Sequence, residues 1–232
     1  MSKILLIETS TSLCSVALAS FGADDSGKII AERRSSEPRQ HASLTAVFID
    51  EVLREAGIAA KELSAVALSA GPGSYTGLRV GSSTAKGICF GAGVPLISVG
   101  TLDVLAWQGL ALLPAGCSRI IPMIDARRME VYAACYELRN GVPVRLTEVA
   151  PIVIDENSFA DFFAQGPVCL IGDGAGKCDF LPAAGNIQCC PEASAMLQPA
   201  LAAFRAEKFE DIAYFEPFYL KDFVATVGKK LF

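Results

Sequence analysis

Ser69-Ala70-Gly71-Pro72-Gly73-Ser74-Tyr75-Thr76-Gly77-Leu78-Arg79-Val80-Gly81 joins a short apolar run, Ala65–Ser69, to a longer small-residue stretch, Leu78–Phe90. The order reads as a strand, a glycine-rich loop and a helix. Gly71 and Gly73 let the backbone turn sharply and approach another group closely, and the unpaired N–H groups of a helix start favour an anion. The stretch is not a P-loop, because no Gly-Lys-Ser/Thr closes it and Lys86 lies a helical stretch further on. Gly73, Gly77 and Gly81 recur every four residues, as do Gly87 and Gly91. Small residues at that spacing clear one helix face for close contact with another element. Each glycine costs about 1 kcal/mol against alanine in a helix, so packing within the chain or against a partner protein must compensate.

Three strands are expected before this loop, over Lys3–Ile7, Leu13–Ser20 and Lys28–Arg33, the last two joined by the turn-rich stretch 22–27. His41–Ala56 reads as a helix with Leu44, Val47, Phe48 and Val52 on one stripe. Leu96–Val99 reads as a strand and Leu102–Leu113 as a helix. The second half repeats the order. Strands are expected at Arg119–Ile124, Val131–Leu138 and Val144–Ile154, then a helix at Ser158–Gln165 and a strand at Val168–Ile171. A helical turn at Ala175–Leu181, a weak strand at Ile187–Cys189 and a helix at Ala193–Lys208 follow. Each half is therefore βββαβαβα, which predicts an α/β protein of two lobes, 1–105 and 106–232, with a cleft between them. This is the layout of the ribonuclease-H-like lobes of actin, sugar kinases and Hsp70 chaperones.

Composition excludes several function classes. The 232 residues are 52% hydrophobic and 19% charged, which argues against disorder. With 25 acids against 20 bases, bulk charge does not recruit nucleic acid; Arg33, Arg34 and Arg39 form a small local cluster read as a solvated loop. One histidine cannot build a two-histidine metal site. The eight cysteines include no C-x-x-C pair and sit among small apolar residues, as reduced core thiols of a cytoplasmic protein do. Glu8 and the run Thr9–Ser12 interrupt any signal-peptide core, and glycines and prolines divide the weakly charged stretch after Lys86, so no membrane span is expected.

Three further motifs carry candidate chemistry. Glu8, Thr9 and Ser10, at a strand end, combine an acid with hydroxyls and backbone N–H groups that suit a metal-bound water or a phosphate, or else form an ordinary hairpin turn. Asp125-Ala126-Arg127-Arg128-Met129-Glu130-Val131-Tyr132 occupies the equivalent hairpin of the second half, where Arg127 and Arg128 suit an anion or simply tip a solvated turn. Gly172-Asp173-Gly174-Ala175-Gly176 follows a buried strand and can admit a flat ligand. His41 opens the first long helix, where capping or packing suits it better than a base's role.

Taken together, Leu6-Ile7-Glu8-Thr9-Ser10-Thr11, the loop Gly71–Gly81 with Thr84-Ala85-Lys86-Gly87, and Asp125–Tyr132 resemble the bacterial TsaB (YeaZ) family. The loop Gly172–Ala175 and the C-terminal Pro217-Phe218-Tyr219-Leu220-Lys221 resemble it too. The resemblance implies a part in making threonylcarbamoyladenosine at position 37 of tRNA. It implies a non-catalytic scaffold for the paralogue TsaD, joined by the ATPase TsaE, with tRNA reached only through that complex and a homodimer formed in TsaD's absence. TsaD holds a metal through a His-x3-His pair on the equivalent helix; here His41 is followed at that spacing by Thr45, so the metal site is incomplete. The partner face is expected on His41, Leu44, Thr45, Phe48, Gly73, Tyr75, Thr76, Gly77, Val80, Gly81 and Thr84. A nucleotide or anion site is expected on Glu8, Thr9, Ser10, Gly71, Gly73, Asp125, Arg127 and Arg128. Glu8 replaces the aspartate of actin-like kinases, and Ala126 and Arg127 crowd the place of the kinase glycine, so tight ATP binding by the chain alone is not expected; ATP or ADP at the complex interface is. The alternative is an ATP-dependent kinase or carbamoyl-transfer enzyme.

Overall fold

The computed structural model describes residues 1–22, 27–35, 37 and 40–220. The turn 23–26, Arg39 of the arginine cluster and Lys221 of the C-terminal motif lie outside the described residues. The first half forms β1 (Ser2–Glu8), β2 (Cys14–Phe21), β3 (Gly27–Ser35), α1 (His41–Glu55), β4 (Ala65–Ser69), α2 (Tyr75–Ala92), β5 (Leu96–Val99) and α3 (Thr101–Gly109). Its five-stranded sheet runs β3-β2-β1-β4-β5. β1, β2 and β3 make an antiparallel meander, while β4 and β5 continue parallel to β1 through helical crossovers.

Strand alternation separates two cores. Leu5 and Ile7 point to the side covered by α1 and α2, together with Val16, Leu18, Val66 and Leu68. Ile4 and Leu6 point to the opposite side with Ala17, Ala19, Ala65 and Ala67. Because both faces are covered, these strands read as unbroken apolar runs. α2 starts three residues before the expected Leu78, since Ser74 is its N-cap and accepts the Gly77 N–H at 3.3 Å. Gly93, in the left-handed conformation, closes it.

The second half forms β6 (Arg119–Asp125), β7 (Glu130–Ala133), β8 (Tyr136–Arg139), β9 (Val142–Arg145), β10 (Ala150–Val153), α4 (Ala160–Phe163), β11 (Val168–Ile171), β12 (Gly185–Ile187) and α5 (Leu197–Arg205). The expected strand Val131–Leu138 is divided into β7 and β8, which keep one register on β6, from Asp125↔Val131 to Arg119↔Glu137. The break at Ala134–Cys135 lies opposite Pro122, which has no N–H to donate; the Cys135 N–H goes instead to Thr147 Oγ1 at 2.9 Å. The expected strand Val144–Ile154 likewise becomes β9, paired with β8, and β10, paired with β7. Past β11 the expected helical turn shrinks to a 3-10 turn at Ala175–Cys178.

Two helices tie the sheets together. Leu102, Leu105 and Ala106 of α3 pack on the second sheet with Ile120, Ile124 and Ile171, whereas Val104 enters the core of the first. Tyr136 donates its hydroxyl to Asp103 Oδ1 at 2.7 Å on the same helix. The expected helix Ala193–Lys208 is a 3-10 turn at Ala193–Met196 followed by α5. Met196, Leu197, Ala200 and Leu201 lie against Ile4, Leu6 and Ala17, so the last helix of the second half covers the open face of the first sheet. The eight cysteines are free, and burial pushes the thiols of Cys89, Cys169 and Cys178 up to about 11, as inert core groups. Among the described residues no helix is long and apolar enough to cross a membrane.

Candidate functional site

The glycine loop and the first hairpin turn close on one another. Glu8, at the end of β1, is fully buried; its Oε1 accepts the Ser10 N–H at 2.7 Å and the Ser69 hydroxyl at 2.9 Å. Its Oε2 has no hydrogen-bond partner among the described residues, and burial raises the carboxyl to about 7. Above this turn lies the start of α2. Ser74 donates its N–H to Ser10 O at 2.6 Å, and a Cβ on Gly73 would stand 2.3 Å from the same oxygen. On Gly77 it would stand 2.0 Å from Thr9 O, and on Gly81 2.3 Å from Thr9 Oγ1. Thr9, Ser10 and Thr11 are consequently buried. A phosphate at Ser10 would need the space that Gly73 and Ser74 fill, so these residues do not fit one there. Gly77 and Gly81, expected on a partner face, instead serve contact within the chain. A bulky residue at Gly81 would disturb the fold rather than leave it intact.

The C-terminal segment reinforces this closure from the other side. Gly71 adopts φ 109°, and a Cβ there would meet Phe218 O at 2.5 Å. Phe218 donates its N–H to Ala70 O at 2.7 Å. Lys86 Nζ donates to Phe215 O at 3.0 Å and Ala213 O at 3.3 Å. Tyr219 packs its ring 5.0 Å from that of Tyr75, over which Arg79 lies at 4.6 Å. Sequence reasoning missed Phe218 and Tyr219 as partners of the glycine loop and Lys86 as the tie to the segment before them; the aromatic tail motif was legible, but its destination was not.

The rest of the expected partner face divides between inside and outside. Thr45 is buried, donating its hydroxyl to His41 O at 2.6 Å beside Cys14 Sγ at 3.4 Å. His41 Nε2 lies 3.2 Å from Leu13 O, and Phe48 packs against the core under α1. Leu44, Val80 and Thr84 are half-buried and Thr76 is exposed. Gly87 and Gly91 differ from the three glycines before them, because a Cβ on either would meet nothing within 4 Å. Both are exposed on α2, and Val47 of α1 is 47% exposed.

The second candidate cluster stands apart from Glu8. No hydrogen bond or ion pair among the described residues links Glu8, Thr9 or Ser10 to the β6–β7 hairpin, so the expected anion residues are not gathered into one cradle. Asp125 Oδ1 accepts the Arg127 N–H at 2.5 Å and Lys177 Nζ at 2.7 Å, and Asp125 donates its N–H to Asp173 Oδ1 at 2.9 Å. Burial raises the Asp173 carboxyl. Gly172 and Gly174 sit against β6, where a Cβ would meet Met123 O at 2.0 Å and Ile124 C at 3.1 Å, so this neighbouring strand occupies the space a flat ligand would take. Arg127 and Arg128 are exposed at the tip.

Comparison with known proteins places this architecture. The family model described as TsaD, tRNA N6-adenosine threonylcarbamoyltransferase, matches residues 28–153. The tRNA threonylcarbamoyladenosine biosynthesis protein TsaB of Escherichia coli is 32% identical over 231 residues, covering 96% of each chain. TsaB of Bacillus subtilis is 32% identical over 148 residues, 64% of this chain and 59% of that one. Among solved structures, YeaZ from Pseudomonas aeruginosa superposes with a TM-score of 0.76 at 27% identity, covering 95% of this chain and 100% of the other. A second chain from that organism, described as similar to peptidase YeaZ, reaches 0.80 at 28% identity with the same coverage.

Proposed function

The chain belongs to the TsaB (YeaZ) family, paralogous to TsaD, and from that premise we propose that it is a non-catalytic subunit of cytoplasmic tRNA threonylcarbamoyladenosine synthesis. In this reading it binds a TsaD-type transferase through the outer side of α1 and α2, and TsaE joins the pair. The observation that carries the reading is Gly87, where an added Cβ would meet nothing within 4 Å among the described residues. A glycine inside a helix costs about 1 kcal/mol against alanine, and among the described residues no close contact offsets that cost at Gly87. Close approach of a helix from another protein does. The same face pairs with a second copy when the transferase is absent. The composition agrees: His41 has Thr45 at the metal-pair spacing, and that hydroxyl is turned onto the helix backbone.

Replacing Gly87 by Arg is expected to leave thermal unfolding unchanged or slightly improved and to abolish co-purification with a TsaD-type paralogue, while Gly87→Ala retains the partner. Undiminished co-purification of the arginine variant removes α2 from the interface. Calorimetric titration of ATP into the isolated chain is expected to give no micromolar binding, because Ser10 is sealed under α2. Saturable micromolar binding with turnover would instead support the kinase or carbamoyl-transfer alternative.

A further inference from the structure

Two hairpins of the second sheet solve one backbone problem with opposite chemistry. Between β8 and β9 the left-handed positions fall on Asn140 (φ 53°) and Gly141 (φ 78°), the residues that adopt this conformation at least cost. Between β6 and β7 they fall on Arg127 (φ 68°) and Arg128 (φ 48°), neither of which relieves the clash of Cβ with the backbone. Phe159 and Glu207 are also left-handed, but singly and at helix ends; only this tip places two such side chains in succession among the described residues. The strain is held in place from below. Asp125 takes the Arg127 N–H, Lys177 fixes Asp125 and donates also to Glu130 O at 2.8 Å, and Glu130 donates its N–H to Arg127 O at 3.1 Å. Neither guanidinium has an ion-pair or hydrogen-bond partner among the described residues, so nothing inside the fold repays either side chain.

We infer that the Arg127–Arg128 tip is a phosphate-contacting finger that meets the tRNA backbone once the assembly has formed. Two adjacent guanidiniums, held outward on a braced hairpin, offer paired N–H donors to phosphate oxygens. Local strain maintained by surrounding contacts is the usual mark of a site kept for function rather than stability. With 25 acids against 20 bases the chain is not expected to hold tRNA by itself; the finger adds register to a polyanion brought in by the partner. This rests on the subunit reading above.

The test is the double variant Arg127→Asn with Arg128→Gly, which copies the Asn140–Gly141 solution. In the isolated chain its melting temperature is expected to rise by about 2–6 °C as the strain is relieved. In the complex with a TsaD-type paralogue, co-purification is expected to be unchanged. The affinity of that complex for tRNA is expected to fall about tenfold, and the slope of log affinity against log salt by about 2, one per lost phosphate contact. An unchanged melting temperature, or tRNA retained with the parent slope, overturns the inference. So does loss of ATP binding by the complex that carries the variant with its tRNA affinity intact, since the anion would then be a free nucleotide. Failure of the parent chain to join the complex sinks the subunit reading and this inference with it, whereas an assembly that holds tRNA equally well through the variant sinks this inference alone.

Discussion

Gly77→Ala is expected to destabilise the fold by about 3 kcal/mol or more, despite placing the best helix former inside a helix. The added methyl would stand 2.0 Å from Thr9 O, a backbone atom on the turn after β1. That turn cannot retreat freely, because Ser10 is tied to Glu8 and its carbonyl takes the Ser74 N–H. Either α2 lifts off its bed or the hairpin shifts against β4. Gly87→Ala, ten residues further along the same helix, is the matched control. With open space at its Cβ it should gain about 1 kcal/mol from propensity alone. Urea unfolding of the two variants beside the parent measures both signs. Equal effects would show that α2 does not rest on the Thr9–Ser10 turn.

Stability is expected to fall as pH rises from about 4.5 to about 7 through the contribution of Glu8, and to level off above that. The folded protein binds this proton more tightly than the unfolded chain, whose carboxyl has the ordinary value near 4.5, while burial raises the folded value to about 7. Below 4.5 both states are protonated and the contribution is fully present. Between the two values only the folded state keeps the proton, so each pH unit removes about 1.4 kcal/mol, roughly 3 kcal/mol in all. Glu8→Gln removes this slope, although its amide nitrogen inherits the place of Oε2, which has no partner among the described residues. Denaturation at pH 5, 6, 7 and 8 of both proteins isolates the term, since the other carboxylates are common to them. A second reading comes from Cys14, whose thiol is raised by burial first and by Glu8 in smaller part, and which should titrate slightly lower in the variant. Parallel pH profiles for the parent and Glu8→Gln would mean that the buried carboxyl is not linked to folding.

These two residues belong to one device. Glu8 fixes the turn, the turn seats α2 through Gly73, Gly77 and Gly81, and α2 then leaves Gly87 exposed. Where an actin-like kinase would open a phosphate loop, this chain has a packed joint. Under the subunit role proposed above, that exchange favours docking, because a helix already fixed in place loses less freedom when a partner binds it.

Much of this was legible in residues 1–232 before any coordinates. Unbroken apolar runs with β-branched residues marked β1, β4, β6 and β11, and the lone His41 with Thr45 four residues on excluded a paired-histidine metal site. The four-residue glycine spacing announced that α2 packs closely against something. Which glycines face inward was beyond the sequence, because Gly77 and Gly87 have the same local chemistry and differ only in having Thr9 O or open space at the Cβ position. The same holds for the break of the second-half meander opposite Pro122, the crossing of α5 onto the first sheet, and the seat of Phe218 on Gly71. Hydrophobic period and turn chemistry are local and are written in consecutive residues, so the sequence alone determined the element order of the first half and the α/β class of both, but not the division of the second half's expected strands Val131–Leu138 and Val144–Ile154. Burial of a given atom depends on segments that meet from a distance along the chain, so only the tertiary structure decided which glycines serve the fold, which stay bare, and that the first loop is closed to phosphate.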